Sequence, residues 1–258
     1  MTQSTTKNAP IALITGGSRG LGRSMALHLA ERGTDIILTY RGSQKEAADV
    51  VASIEGKGRK AAALALDVRD TKSYPAFVET VKAQLRDTFD GRRLYALVNN
   101  AGTGAHAPFT ETTEEQFDDL VAVHFKATFF LSQKLLPLID DGGRILNVSS
   151  GLARFTYPGA SAYASMKGAI EVLTRYMAKE LGPRRISVNV IAPGAIATDF
   201  GGGRVRDNPE VNKMVASLTA LGRVGLPDDI GAAVAVLLAP ESAWITGQRI
   251  EASGGQGL

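Results

Sequence analysis

Ile11-Ala-Leu-Ile-Thr-Gly-Gly-Ser-Arg-Gly-Leu-Gly-Arg-Ser-Met-Ala-Leu-His-Leu-Ala-Glu-Arg32 joins an apolar run, a glycine-dense turn and an amphipathic stretch in immediate succession. Ile11 to Thr15 reads as a buried strand, and Gly20 to Arg32 as a helix closed by Gly33. Between them Gly16 and Gly20 permit a tight turn and let backbone amides approach a pyrophosphate. Gly22 allows close helix–sheet packing, and the helix N-terminus supplies a favourable field for the anion. A glycine-rich turn alone amounts only to a strand–helix connection. Its place after an N-terminal strand and before a helix makes the nucleotide reading the stronger one.

Short apolar runs and longer amphipathic stretches alternate outward from this unit. Further strands are expected at Asp35–Tyr40, Ala61–Leu66, Tyr95–Val98, Arg144–Val148, Ser187–Ile191 and near Gln248–Glu251. Helices are expected at Ser43–Glu55, with Ser43 as N-cap, and at about Ser73–Phe89, Thr113–Leu136, Ser161–Leu181 and Pro227–Leu238. Glu114 and Glu115 fall in the first turn of the long helix, where negative charge is favoured. Strands this apolar, separated by helices, imply a parallel sheet covered on both faces. The expectation is an α/β protein: a single doubly wound Rossmann-type domain, 1–258, whose seven-stranded parallel sheet carries helices on both faces. Residues 1–8 are expected to be flexible. Gly194 to about Leu221, with Gly201-Gly-Gly203, resists assignment, and a long irregular segment in a compact domain is usually functional or mobile.

Composition narrows the possibilities. The chain of 258 residues is 44% hydrophobic and 21% charged, which excludes a disordered chain. No apolar run is long enough to span a bilayer, and Met1 to Ala9 contain no apolar core of a secretory signal, so a cytoplasmic, non-membrane protein is expected. With no cysteine, disulfide scaffolds, thiolate metal sites and thiol nucleophiles are excluded. Glycine is in excess, 28 of 258 or about 11% against roughly 7% typically. A net charge of +3 is spread along the chain, and Arg92-Arg93 and Arg184-Arg185 are short pairs rather than a stripe, so no nucleic acid is expected.

The end of the second strand bears on the nucleotide. A dinucleotide without a 2′-phosphate usually meets an acid about 20 residues past the glycines. Here Leu38-Thr-Tyr-Arg-Gly-Ser43 has none, while Arg41 stands there and Arg19 lies inside the glycine turn. Two guanidiniums able to converge on a phosphate favour NADP(H) over NAD(H), which stays possible. The plain alternative is that one or both are solvated loop charges.

In their order these motifs make the chain similar to the short-chain dehydrogenases/reductases of ordinary length, over about Ala9 to Gly255. The family's Thr-Gly-x-x-x-Gly-x-Gly pattern is met by Thr15 to Gly22, its Asn-Asn-Ala-Gly by Asn99 to Gly102, and its Tyr-x-x-x-Lys by Tyr163 to Lys167. The family serine falls on Ser150, thirteen residues before Tyr163, with Ser149 as its competitor; Pro193-Gly194 is the Pro-Gly turn, and Asp67-Val68 follows the third strand. The resemblance implies that Ser18, Leu21, Tyr40, Asp67, Val68, Asn99, Ala101, Gly102, Pro193, Gly194, Ile196 and Thr198 line the cofactor. It implies that Lys167 anchors the nicotinamide ribose with Tyr163 beside it. On a helix Tyr163 and Lys167 share one face. A free tyrosine titrates near 10, and a nearby ammonium is expected to lower that value. In carbonyl reduction Tyr163 would give its proton to the oxygen and Ser150 would hold that oxygen.

One departure stands out. Where the family has an asparagine, in a pattern like Val-Asn-x-x-Gly, this chain has Val123-His-Phe-Lys-Ala127, so His124 takes the fourth catalytic position. Two readings are open: an altered proton relay, or a packed histidine with no chemical role. His28 and His106 form no cluster with it, so no metal is expected. The Gly194–Leu221 segment is expected to build the substrate half with Phe200, Arg204 and Arg206, opposite Phe155 and Tyr157. The arginines suit an anionic substrate or simply solvate the loop.

The activity implied is NADPH-dependent reduction of a small-molecule carbonyl substrate to its alcohol. A nucleotide-binding sensor or scaffold with weakened catalysis is the alternative, and an NAD-linked alcohol dehydrogenase hinges on Arg41. The resemblance also implies a homotetramer, with a dimer second, associating through the two long helices and the last strand.

Overall fold

The computed structural model of the chain describes residues 9–258; the stretch 1–8, read as flexible, lies outside the described residues. Seven strands form: β1 (Ile11–Ile14), β2 (Asp35–Tyr40), β3 (Ala61–Ala65), β4 (Leu94–Asn99), β5 (Ile139–Val148), β6 (Ser187–Pro193) and β7 (Arg249–Ala252). They lie in one sheet in the order β3-β2-β1-β4-β5-β6-β7, and every adjacent pair is parallel. The expected doubly wound sheet is therefore the observed one.

Neighbouring residues of a strand face opposite sides of the sheet, so a strand buried on both sides is apolar throughout. Leu13, Ile37, Leu97, Ile145 and Val188 pack on one side with Val81 and Leu85 of α3 (Tyr74–Asp87) and with Leu131 and Leu135 of a later helix. On the other side Ala12, Ile14, Ile36, Leu38 and Val98 pack with α1 (Gly20–Glu31) through Met25 and Leu29, and with α2 (Gln44–Glu55) through Val50 and Ile54. Among the described residues no helix is long and apolar enough to cross a membrane.

The long helix expected at Thr113–Leu136 is three pieces. Thr113 caps α4 (Glu114–Leu120) in a reciprocal box with Gln116, whose side chain accepts from the Thr113 amide at 3.1 Å. Val121–Lys126 then winds as a π-helix before α5 (Ala127–Leu135) resumes the α form. Insertions of this kind are rare and tend to mark functional positions. His124 sits inside it.

Beyond α6 (Ser161–Leu181), the unassigned segment corrects an expectation. It holds two short helices, α7 (Arg204–Asp207) and α8 (Pro209–Ser217), before α9 (Pro227–Leu237) closes the series. The Asn208 side chain accepts from the Glu210 and Val211 amides, and Pro209 opens α8, so the start signal Asn-Pro-Glu was present but overshadowed by three glycines. Gly201, Gly202 and Gly203 all have φ between 62° and 76°, which separates α7 from the strand before it. Elsewhere β5 starts at Ile139 rather than Arg144, across a register shift between Leu94 and Ala96. Ser43 stands at the N-cap of α2 without its side chain capping it.

Four polar side chains cross the core. Asn99 Nδ2 donates to Ser132 Oγ (2.9 Å) and Asn147 Oδ1 (2.8 Å), and Asn147 Nδ2 donates to Thr174 Oγ1 (2.9 Å). Asn147 and Thr174 are fully buried, so each bond is needed. Thr174→Val keeps the shape and strands the Asn147 donor, and is expected to cost about 1–3 kcal/mol in urea unfolding. An unchanged midpoint would show that the amide finds another partner.

Candidate active site

The strand order turns back between β1 and β4, and crevices at such points lie beyond the carboxyl ends of the strands. The two loops that leave there are bonded together. Thr15 Oγ1 accepts from the Asn100 and Ala101 amides at 3.0 and 2.9 Å, and Asn100 Nδ2 donates to the Thr15 and Gly16 carbonyls. A Cβ on Gly22 would fall 2.2 Å from the Gly16 oxygen and 2.6 Å from Asn100 Nδ2. Gly16 has φ +67° with Ala101 Cα beside it.

Arg19 precedes α1, no side chain caps that helix and its first turn carries no acid, so its first amides have no side-chain acceptor. A bare cradle with uncapped amides fits a dinucleotide pyrophosphate. Ser18 is buried in the same turn, and Thr198 comes within 3.8 Å of a Cβ on Gly20. At the far end Tyr40 and Arg41 follow β2, with Arg41 exposed. Val68 is buried after β3, and Asp67 is 3.5 Å from Arg69. Arg19 is exposed too and lies 3.9 Å from Asp199.

The expected cofactor residues also make contacts within the protein. The Asn99 side chain is spent in the core network, while Asn100, which the motif reading passed over, ties the two loops. Gly102 is exposed and abuts the His124 ring. Pro193 ends β6, and a Cβ on Gly194 would meet Gln256 Oε1 and Ser253 within 2.9 Å. Ile196 bridges to Gly225, and the Thr198 hydroxyl accepts from the Phe200 amide at 3.2 Å.

The catalytic candidates meet at the N-terminal half of α6. Ser150 accepts the Leu152 amide at 3.2 Å, and its hydroxyl lies near enough to the Tyr163 hydroxyl to act on it. Lys167 Nζ donates to the Val148 carbonyl at 2.8 Å and lies 5.5 Å from the centre of the Tyr163 ring. Burial pushes the Tyr163 phenol well above its ordinary 10, against a smaller opposing pull from the Ser150 hydrogen bond. Burial also pushes Lys167 down to about 7. At Tyr163 desolvation gives a net rise, opposite in sign to the lowering expected from the four-residue spacing to Lys167. Ser149 is no competitor: its hydroxyl turns into α6, 2.7 Å from Glu171 Oε1.

His124 is 2% exposed, donates from Nε2 to the Thr103 carbonyl at 2.8 Å, and meets the Tyr163 ring edge-to-face at 5.2 Å. Phe200 packs on the other side of Tyr163, ring centres 5.8 Å apart. Phe155 packs against Gly151 and Gly257, and Tyr157 lines a pocket of about 520 Å³ with His106, Pro108, Phe109 and Leu152. Arg206 pairs with Asp199 and Asp207 at the surface, and Arg204 is exposed, which favours loop solvation over an anion site. Among the described residues no group of three His, Asp or Glu could hold a metal.

The family profile described as enoyl-(acyl carrier protein) reductase matches residues 16–256. Hydroxynaphthalene reductase-like protein Arp2 of Metarhizium brunneum (strain ARSEF 3297) is 37% identical over 256 residues, covering 95% of this chain and 94% of the relative. Among solved structures, the promiscuous reductase LugOII, which catalyses keto-reduction at C1 during lugdunomycin biosynthesis, superposes with a TM-score of 0.91 at 38% identity. It covers 97% of this chain and 98% of its own. The angucycline C-6 ketoreductase LanV with bound NADP has a TM-score of 0.91 at 37% identity, over 96% and 95% of the two chains.

One set of residues escaped the motif reading altogether. Glu171 continues the Tyr163–Lys167 row by another four residues and accepts from Arg249 Nε at 2.7 Å. Arg249 also donates to Glu251 (2.7 Å), and its second fork reaches the Ser150 carbonyl at 3.4 Å. Arg154 closes the chain with two bonds to Glu251. The same i, i+4 spacing that marks Tyr163 and Lys167 was the available signal for Glu171; nothing in the sequence marked Arg249, which arrives from β7.

Hydrogen bonds from Arg154 and Arg249 lower Glu251 from 4.5 to about 2. A carboxylate lowered on folding stabilises the fold fully above its unfolded value and loses that contribution as pH falls. Acid destabilisation is therefore expected between about pH 4.5 and 2. Glu251→Gln should flatten that part of the stability–pH curve; an unaltered slope would show that Glu251 does not contribute.

Proposed function

The chain belongs to the short-chain dehydrogenase/reductase family and is an NAD(P)-dependent oxidoreductase, and on that premise we propose that it uses NADPH to reduce a ketone to an alcohol. The observation that supports the reading is the cluster at the start of α6: the half-buried Tyr163 phenol beside Ser150, with Lys167 Nζ 5.5 Å from its ring centre. A neutral phenol beside a hydroxyl that can hold the same oxygen is what proton donation needs.

Gly16, Ser18, Gly20, Leu21 and Gly22 hold the pyrophosphate, with Ala101 and Gly102 flanking it. Tyr40, Arg41, Asp67 and Val68 border the adenosine end, and Pro193, Gly194, Ile196 and Thr198 border the nicotinamide end. Arg41 and Arg19 receive the 2′-phosphate. When bound, NADPH supplies the hydride. Ser150 donates a hydrogen bond to the ketone oxygen and stabilises the charge that develops on it. Tyr163 passes its hydroxyl proton to that oxygen. Lys167, close beneath the ring, stabilises the phenolate left behind and anchors the nicotinamide ribose.

The substrate we infer is a flat aromatic ketone. Relatives are named for hydroxynaphthalene and angucycline reduction, and Phe155, Tyr157 and Phe200 offer apolar walls. The same reading makes the protein a cytoplasmic homotetramer. Half-exposed Phe117, Phe129 and Phe130 on α4–α5 and exposed Tyr176 on α6 supply apolar surface for association.

Following NADPH oxidation against a panel of aromatic ketones tests the reaction. Tyr163→Phe should lose at least about 100-fold in turnover while holding NADPH within a few fold of its normal affinity. Turnover retained in that variant would remove Tyr163 as the donor. Cofactor binding with silence across the panel would favour a sensor. Arg41→Glu should weaken NADPH by about 10–100-fold and NADH far less, as loss of a charge-assisted phosphate contact requires. Equal loss for both cofactors would place the 2′-phosphate elsewhere.

A further inference from the structure

Two readings of His124 stand open above, a proton relay and an inert packed ring, and its surroundings fit neither. The Thr103 carbonyl has no proton to give, so the 2.8 Å bond requires the proton on His124 Nε2. Nδ1 is then a bare lone pair. It is buried and has no hydrogen-bond partner among the side chains and backbone of the described residues. Adding a proton there would put a second cation near Lys167 with nothing to accept from it.

The ring is also wedged. A Cβ on Gly102 would stand 3.0 Å from its Cε1, and Tyr163 meets it edge-to-face at 85°. The π-helical turn that carries His124 is stitched at that residue, its carbonyl accepting from Thr128 Oγ1 at 2.7 Å. The loop it grips continues to Gly104, where Phe200 packs so closely that a Cβ would sit 3.0 Å from its ring. Phe200 in turn covers Tyr163. His124, the loop after β4 and Phe200 thus close a ring of contacts around the phenol.

We propose that His124 is a positioning residue, a neutral strut that holds the 102–104 loop through Nε2 and sets the angle of the Tyr163 ring through its edge, while moving no proton. The proposal rests on the reading of Tyr163 as donor. The charged and titratable groups around His124 agree with it. Lys167 from α6 opposes protonation, as does Arg69 ahead of α3, while Asp119 of α4 favours it but is held by Arg69. Burial outweighs all of them and takes the imidazole down to about 3, and the neighbouring Tyr163 stays a neutral phenol.

The test joins a spectrum to kinetics. Nitrogen NMR of the full chain with labelled histidine should show the His124 ring with its proton on Nε2 and unchanged across pH 5–8. His124→Asn keeps an amide N–H for Thr103 but removes the ring. It should lower kcat on the order of tenfold, as a displaced reacting group does, with ketone KM and NADPH affinity within about twofold. Its pH–rate profile should match that of the unaltered protein. Titration of the ring between pH 5 and 8, a proton on Nδ1, a lost limb in the variant's profile, or unchanged kcat would each overturn the strut. Turnover surviving in Tyr163→Phe would instead overturn the donor reading, and the ring-nitrogen spectrum tells the two failures apart because it needs no turnover.

Discussion

The approach of α1 to the end of β1 fixes everything built around it. At position 22 the chain passes so near the Gly16 carbonyl that even a methyl group would overlap it. From the side of β4, Asn100 donates to the Thr15 and Gly16 carbonyls, and the Asn100 and Ala101 amides donate to Thr15 Oγ1. The crevice therefore has a floor made of backbone, held by steric exclusion on one side and by four hydrogen bonds on the other. Overpacking at such a point costs about 1–3 kcal/mol or forces the backbone to move. A phosphate-binding turn benefits from this rigidity, since its amides have to point at the anion before the anion arrives.

Around Tyr163 a different balance holds. The spacing to Lys167 suggests a charge that lowers the phenol, yet desolvation moves both groups toward their neutral forms. A buried ammonium and a buried phenolate each lose solvation that one contact does not restore. For the proton donation proposed for Tyr163 this is favourable: a neutral phenol would keep its proton until an oxygen with developing negative charge is placed beside it. His124 follows the same rule, as a ring that burial keeps neutral with Lys167 opposing a second proton.

The legible part of this protein was what depends on local sequence. Apolar runs such as Ile11–Ile14 and Ile36–Leu38 could only be two-sided strands, and the glycine turn could only join β1 to a helix packed closely on it. The row of Tyr163 and Lys167 was equally visible. What escaped were features decided by partners far along the chain. Arg249 reaches Glu171 and the Ser150 carbonyl across 78 and 99 residues. The π-helical turn has no strong propensity signal in Val121–Lys126 and exists together with the bond from His124 to Thr103. Asn99 was assigned to the cofactor by its motif, but its amide was needed by Ser132 and Asn147. At Asn208–Glu210 the local signal for α8 was present and three glycines drew attention away from it.

The two halves of the cleft are held by forces of unequal strength. The cofactor half rests on half-buried hydrogen bonds and on glycine contacts that leave no room for a side chain. The segment from Asp199 to Asp207 rests on surface ion pairs, with Arg19 68% exposed and 3.9 Å from Asp199. Pairs of that kind contribute little, typically about 0–1 kcal/mol. Its firmer anchors are Thr198 against the glycine turn and Phe200 on Tyr163, with three glycines in the left-handed region directly after. Glycine loses more chain entropy on ordering than any other residue, so this segment gains least from being fixed. A rigid turn suits a pyrophosphate, which is bound by backbone amides fixed in direction. On the side of Asp199 to Asp207 the strong contacts end, and what holds that wall is one hydroxyl, one aromatic ring and exposed ion pairs.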